Sequence, residues 1–121
     1  MPAAAFPICE GPNRTARKVT CLVDGDTGWE SGVKWRLQGV DAPELSNPEC
    51  SNERNLAEDA TARLGELMDG GYQIEWTGEK GRYERELVRI RLRDGRDVGI
   101  VLVNEGLAQP WPNEGNIWCG R

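Results

Sequence analysis

The sequence contains no histidine among its 121 residues. Imidazole therefore cannot act as a base here, complete a Ser-His-Asp or Cys-His nucleophile system, or ligate zinc. Acid–base chemistry falls to carboxylates, Lys, Tyr or Cys. Long apolar runs are also missing: none approaches the roughly 18 residues of a membrane span, so no membrane partner is expected. The segment from Met1 to Pro7 has neither a basic start nor an apolar stretch and does not read as a signal peptide. The chain has no internal repeat, no low-complexity segment and no pair of cysteines at C-x2–4-C spacing, which leaves a four-thiolate zinc site unsupported. Positive charge is in deficit: 15 Lys and Arg face 20 Asp and Glu, a net charge of −5. Tight, general binding of nucleic acid usually rests on a basic surface, and this balance argues against it.

What is present suits one domain. Apolar residues make up 38% of the chain and five residues are Trp, enough for an ordinary core. Cys9, Cys21, Cys50 and Cys119 are an even set in a small chain, which suggests two disulfides and an extracytoplasmic compartment, secreted or periplasmic. Four buried thiols in a cytosolic protein is the alternative, and four cysteines allow three pairings.

Patterning predicts the elements. Pro2 to Arg14 is rich in turn formers and reads as irregular. Arg17–Val23 and Gly28–Ser31 read as strands, and Val33, Trp35 and Leu37 alternate with Lys34, Arg36 and Gln38 in a third. Leu56, Ala60, Leu64, Leu67 and Met68 fall near helical spacing, in a helix starting near Asn52 and stopping at Gly70-Gly71. Tyr72–Thr77 and Glu86–Arg93 read as further strands. Asp97 caps a short helix over Val98–Glu105, and the tail from Gln109 reads as irregular. Five short strands with inserted helices fit a small barrel, mainly β within an α+β class.

Charged residues gather beside turns. Asp24 and Asp26 follow the first strand, and Asp41 and Glu44 follow the third. Converging aspartates with a backbone carbonyl make an oxygen-rich site suited to Ca²⁺ or Mg²⁺; plain turn chemistry is the competing account of Asp-Gly and Ala-Pro. Arg36, on the polar face of its strand, and Arg85, at a loop end, offer planar forks suited to phosphate. Taken singly, each arginine reads as a solvated strand or loop residue ahead of a catalyst. Trp35 reads as core, and Trp111 and Trp118 as aromatics packing over the barrel.

Together these residues resemble the staphylococcal nuclease (thermonuclease) family. The resemblance lies in the ordered set Val23-Asp24-Gly25-Asp26-Thr27, Arg36-Leu37, Val40-Asp41-Ala42-Pro43-Glu44, Tyr83, Arg85, Leu87, Asp94-Gly95 and Leu102-Val103-Asn104-Glu105-Gly106-Leu107-Ala108. It implies a five-stranded OB-fold barrel with about two packed helices, organised as an arm over 1–16, a nuclease-like domain over 17–111 and a tail over 112–121. It implies a calcium-dependent nuclease that hydrolyses phosphodiester bonds of DNA or RNA by attack of water, with one Ca²⁺ per chain. By resemblance, Asp26, Asp41 and the Ala42 carbonyl are the metal ligands, with Asp24 supporting them from behind. Glu44 acts on the attacking water, Arg36 and Arg85 on the scissile phosphate, and Arg82 and Tyr83 on a terminal phosphate. Two positions depart from the family's Asp-x-Tyr-Gly-Arg loop: Gly81 stands for the Asp and Glu84 for the Gly. Glu84 thus brings a Cβ where glycine is free and a negative charge beside Arg85. A non-catalytic OB module that binds nucleic acid or protein, and a small disulfide-stapled structural domain, are the alternatives.

The charge distribution softens the acidic balance. The segment 78–97 holds seven Lys and Arg against five Asp and Glu, so it is net positive by two while the remainder is net negative by seven. A locally basic strand and loop can meet phosphate, and transient substrate binding by a monomer is expected.

Overall fold

Alternating apolar and polar residues build the sheet that carries the molecule. The computed structural model describes residues 6–120, so the first five residues of the expected arm, and Arg121 at the end of the tail, lie outside it. The elements are β1 (Cys21–Leu22), β2 (Thr27–Glu30), β3 (Val33–Leu37), β4 (Val40–Asp41), α1 (Ser51–Asp69), β5 (Tyr72–Lys80), β6 (Glu86–Leu92), α2 (Val98–Asn104) and β7 (Gln109–Pro110). Short 3-10 turns span Arg82–Glu84 and Ile117–Cys119. Five strands form one sheet in the order β1-β2-β3-β6-β5, and β4 pairs with β7. All neighbours in the five-stranded sheet are antiparallel except β3 and β6, which run parallel with Trp35 beside Glu86 and Leu37 beside Val88. A mixed α+β fold with a five-stranded sheet and two helices is what the patterning predicts.

Trp35 and Leu37 of β3 and Val88, Ile90 and Leu92 of β6 point into one core, while Arg89 and Arg91 face water. In α1 the residues Ala57, Ala60, Leu64 and Met68, spaced three or four apart, bury the face that covers this core. Three of these four were placed by the helical spacing; Ala57 takes the position that spacing had given to Leu56, which is half-buried. Gly71, at φ 110°, reverses the chain after α1. Asp97 caps α2 as expected, its carboxylate accepting from the Gly99 and Ile100 amides.

Three expectations change. The first strand shrinks from Arg17–Val23 to two residues, because Arg14–Val19 satisfies its backbone locally: Arg17 N–H donates to Asn13, Lys18 N–H to Thr15 and Val19 N–H to Arg14. Strand β5 runs on to Lys80 past an irregularity between Trp76 and Lys80, where sequence suggested a loop. The tail from Gln109 is not irregular throughout, since it supplies β7 and a 3-10 turn.

Two disulfides choose among the three pairings. Cys9 joins Cys21, clamping the arm to β1, and Cys50 joins Cys119 across a sequence separation of 69, clamping the tail to the start of α1. All four cysteines are used.

Gly28 holds the tightest position in the sheet. A Cβ there would lie 2.4 Å from Cζ2 of Trp35 and 2.8 Å from the Cys21 carbonyl oxygen. Neither a buried indole nor a strand backbone can retreat easily. Gly28→Ala is therefore expected to cost about 3 kcal/mol, the upper end of the overpacking range. Urea denaturation measures this; an unchanged midpoint would show that the Trp35 ring is not seated as described.

Candidate functional site

The site is assembled from the two turns that sequence singled out, the Arg82–Arg85 loop and the tail. In the first turn, an Asp24 carboxylate oxygen accepts the Asp26 amide at 3.2 Å. Gly25 lets this turn press against the rest of the fold: a Cβ there would stand 2.9 Å from Cβ of Ala42 and 3.0 Å from Cβ of Ala60. Asp26 then ties the turn to β4, with Oδ2 accepting the Ala42 amide at 2.9 Å and Oδ1 accepting the Thr27 hydroxyl at 2.8 Å. Both aspartates are buried. Arg36 reaches over from β3, with Nη1 3.4 Å from Asp26 Oδ2 and 3.2 Å from the Val40 carbonyl.

Asp41 lies at the end of β4, and its Oδ2 accepts two carboxamides, from Gln109 at 3.1 Å and from Asn113 at 2.9 Å. Glu44 is exposed at the cleft, but its backbone is fixed from below. Glu53, in the first turn of α1, accepts the Glu44 amide at 2.9 Å and the Glu49 amide at 2.8 Å. Asn116 completes this support by donating to Glu53 at 2.9 Å and to Glu49 at 3.1 Å. Gln109, Asn113, Asn116 and Glu53 were not singled out from sequence. Asn and Gln in a Pro-containing tail carry no periodicity, and an acid in a helix's first turn reads as ordinary complementation of the helix dipole.

Across the cleft, Arg85 Nη1 lies 3.4 Å from the Thr27 hydroxyl and Nε donates to the Arg82 carbonyl at 3.0 Å. Tyr83 is 80% exposed, and the Arg85 guanidinium lies 5.5 Å from its ring centroid. Tyr83 and Glu84 both take left-handed angles, φ 58° and 59°. The Cβ of Glu84 therefore does not prevent a left-handed backbone, although it carries steric cost there. Its carboxylate is paired with Lys80 at 3.9 Å. Trp111 sits 6.0 Å from the Arg36 guanidinium on the tail side.

These groups line one cleft of about 650 Å³: Asp24, Asp26, Asp41 and Glu44 with Arg36 and Arg85 all border it, and Arg82 and Tyr83 stand at its rim. The structure thus brings every residue singled out for metal or phosphate chemistry into one place. Burial, aided by the neighbouring Asp26 carboxylate, pushes the Asp24 carboxyl up to about 8. Burial and the charges of Glu53, Asp26 and Asp41 hold the Glu44 carboxyl above the usual range. Burial and Arg36 lower the Arg85 guanidinium below its ordinary value.

A pH dependence follows for the metal-free protein. Unfolded, Asp24 releases its proton near 3.8; folded, it keeps it to about 8. Between these values the native state binds more protons, so stability falls as pH rises from about 4 to about 8 and then levels. Thermal denaturation in chelator should show this fall, and Asp24→Asn should flatten it. A slope unchanged by Asp24→Asn would mean that other groups set it.

The donor set fits a hard divalent cation. Carboxylates crowd together where two turns meet, one of them held protonated first by burial and then by the Asp26 charge, and a cation would relieve that repulsion. Glu49, Glu53 and Cys119 also bring donor atoms within 4.8 Å of one another. Cys119 is bonded to Cys50 and offers no thiolate, and Glu53 is engaged by backbone amides. A family model described as staphylococcal nuclease homologue matches residues 34–115, more than half of the chain. No curated protein matches it.

Proposed function

The chain belongs to the staphylococcal nuclease homologue family, and from that premise we propose that it is a calcium-dependent nuclease hydrolysing phosphodiester bonds of DNA or RNA. The observation that carries this reading is the meeting, in one cleft, of Asp24, Asp26, Asp41 and Glu44 with Arg36 and Arg85. Neither half alone suits the reaction: the carboxylates repel a phosphate, and the arginines provide no base.

Asp26, Asp41 and the Ala42 carbonyl would hold Ca²⁺, with Asp24 fixing the Asp26 turn through its backbone. A bound Ca²⁺ supplies positive charge that polarises a phosphate oxygen and acidifies water. Glu44 orients the attacking water and takes its proton, a role that its raised pKa favours near neutrality. Water oxygen then bonds to phosphorus as the bond to the leaving sugar oxygen breaks, and that oxygen takes a proton from solvent at the open cleft. Arg36 and Arg85 hold the equatorial oxygens and offset the charge that grows there. Glu53 keeps Glu44 in place, and Arg82 and Tyr83 grip a terminal phosphate at the rim. The protein acts as a monomer with transient substrate binding. Two disulfides support work in an oxidising, extracytoplasmic compartment.

The test is calorimetric. Ca²⁺ and a nucleoside 3′,5′-bisphosphate are expected to strengthen each other's binding, because the two half-sites share the Asp26–Arg36 contact. Asp41→Asn should remove the Ca²⁺ heat and Arg85→Ala the bisphosphate heat. No binding of Ca²⁺ near millimolar concentration would contradict the reading.

A further inference from the structure

One face of the β2–β3 pair carries a line of groups out of the cleft. Across the hairpin, Thr27 stands opposite Arg36 and Trp29 opposite Lys34. Directly opposed residues share a sheet face, and positions two apart on a strand do too. Thr27, Arg36, Trp29 and Lys34 therefore lie on the same side, the first pair at the cleft and the second about 7 Å along it. Lys34 Nζ lies 5.9 Å from the Trp29 ring centroid. Beyond Trp29 the surface opens into a second hollow of about 540 Å³, walled by residues 11–16 of the arm, including Arg14.

The arm is held there firmly. The Cys9–Cys21 disulfide anchors it, and the arm passes so close that a Cβ on Gly32 would lie 2.8 Å from the Thr15 carbonyl. Arg14 spends its Nε on the Gly11 carbonyl at 2.9 Å. Neither Arg14 nor Lys34 has a carboxylate ion-pair partner among the described residues. Glu30 points to the other face, where it accepts from the Tyr72 hydroxyl.

We propose that Lys34, Trp29 and Arg14 form a second binding site for the substrate strand, continuous with the cleft: backbone phosphate on Lys34 and Arg14, and a nucleotide in the hollow against Trp29. This rests on the nuclease reading and deepens it by assigning a path to a single-stranded nucleic acid beyond the cleaved bond. Unpaired cations in a row, an indole between them and an open hollow at the end match the basic groove and aromatic platform that single strands require. Lys34 also feels its neighbours. Burial first, then Arg85 and Arg14, pull its ammonium below the ordinary value, against the opposing pull of Asp24. Lys34 therefore lies within electrostatic reach of both the cleft and the arm, and a polyanion would relieve the crowding.

The experiment compares the intact protein with the Arg14→Ala/Lys34→Ala double variant on two substrates, a dinucleotide diester and a single-stranded 12-mer. The variant is expected to cleave the dinucleotide as before while kcat/KM on the 12-mer falls about tenfold. A parallel anisotropy titration of labelled 12-mer in chelator reads binding without chemistry. There the variant should bind more weakly, with a salt dependence shallower by about 0.7 for each lost phosphate contact. Equal losses on both substrates, or none on either, would overturn the proposal. If the intact protein binds the 12-mer but cleaves neither substrate, the nuclease reading fails. The second site then still stands or falls on the binding titration.

Discussion

Glu44→Gln is expected to lower the rate of phosphodiester hydrolysis by about 10²–10⁴-fold, the range a positioned general base contributes. The substitution keeps the shape of the side chain and removes its capacity to take a proton. Because Glu44 is exposed at the cleft and its backbone is held by Glu53, the fold should not change. Binding of Ca²⁺ should be weakened little, since Asp26 and Asp41 are the proposed ligands. Single-turnover rates at saturating Ca²⁺ measure the loss. A rate within threefold of the intact protein would remove Glu44 from the chemistry and leave only its backbone in the design. Glu53→Gln offers a graded contrast. It keeps an acceptor for the Glu44 amide but gives up the charge that helps raise the Glu44 carboxyl, so it should shift the pH profile of kcat to lower pH with a smaller loss of rate.

Removing the Cys50–Cys119 disulfide is the second large effect. Closing a loop of that length is worth about 4 kcal/mol in the chain-entropy account, against about 3 kcal/mol for the 12-residue separation of Cys9–Cys21. The difference in function should exceed the difference in stability. Cys119 anchors the tail whose Gln109 and Asn113 hold Asp41 and whose Asn116 holds Glu53; Asn52 also donates to the Trp118 carbonyl at 2.7 Å. Freed from α1, the tail loosens its grip on a proposed metal ligand and on the support of Glu44. The Cys50→Ala/Cys119→Ala variant should therefore bind Ca²⁺ more weakly at a temperature where it remains folded. Cys9→Ala/Cys21→Ala should lose stability with Ca²⁺ affinity preserved. Equal Ca²⁺ affinities in the two variants would show that the tail does not position the site.

The parts of this molecule that read directly from sequence are those governed by local rules. Alternation along β3 and β6, helical spacing in α1 and the Asp97 cap each repeat a short-range pattern. The turns bearing Asp24, Asp26, Asp41 and Glu44 were visible because Gly and Pro mark turns, and the resemblance supplied their grouping. Three features were hidden, two because they depend on contacts far apart in the chain and one because a local alternative outcompetes the strand. Cysteine pairing has no local signature. The short β1 results from a hydrogen-bonded knot over Arg14–Val19 that competes with the strand. The carboxamides that hold Asp41 and Glu53 lie 63 to 72 residues from their partners. Gly25 shows the two levels meeting: sequence marks it as a turn residue, while the fold needs it because Ala42 and Ala60 leave no room for a Cβ.

The central claim is that the carboxylates and the arginines of this cleft act together on a phosphodiester. Its most direct test is cleavage of end-labelled denatured DNA at enzyme excess, with Ca²⁺ and with chelator. The account predicts shortened products with Ca²⁺ and intact strand with chelator. Intact strand under both conditions, from protein that is folded and disulfide-bonded, would contradict it.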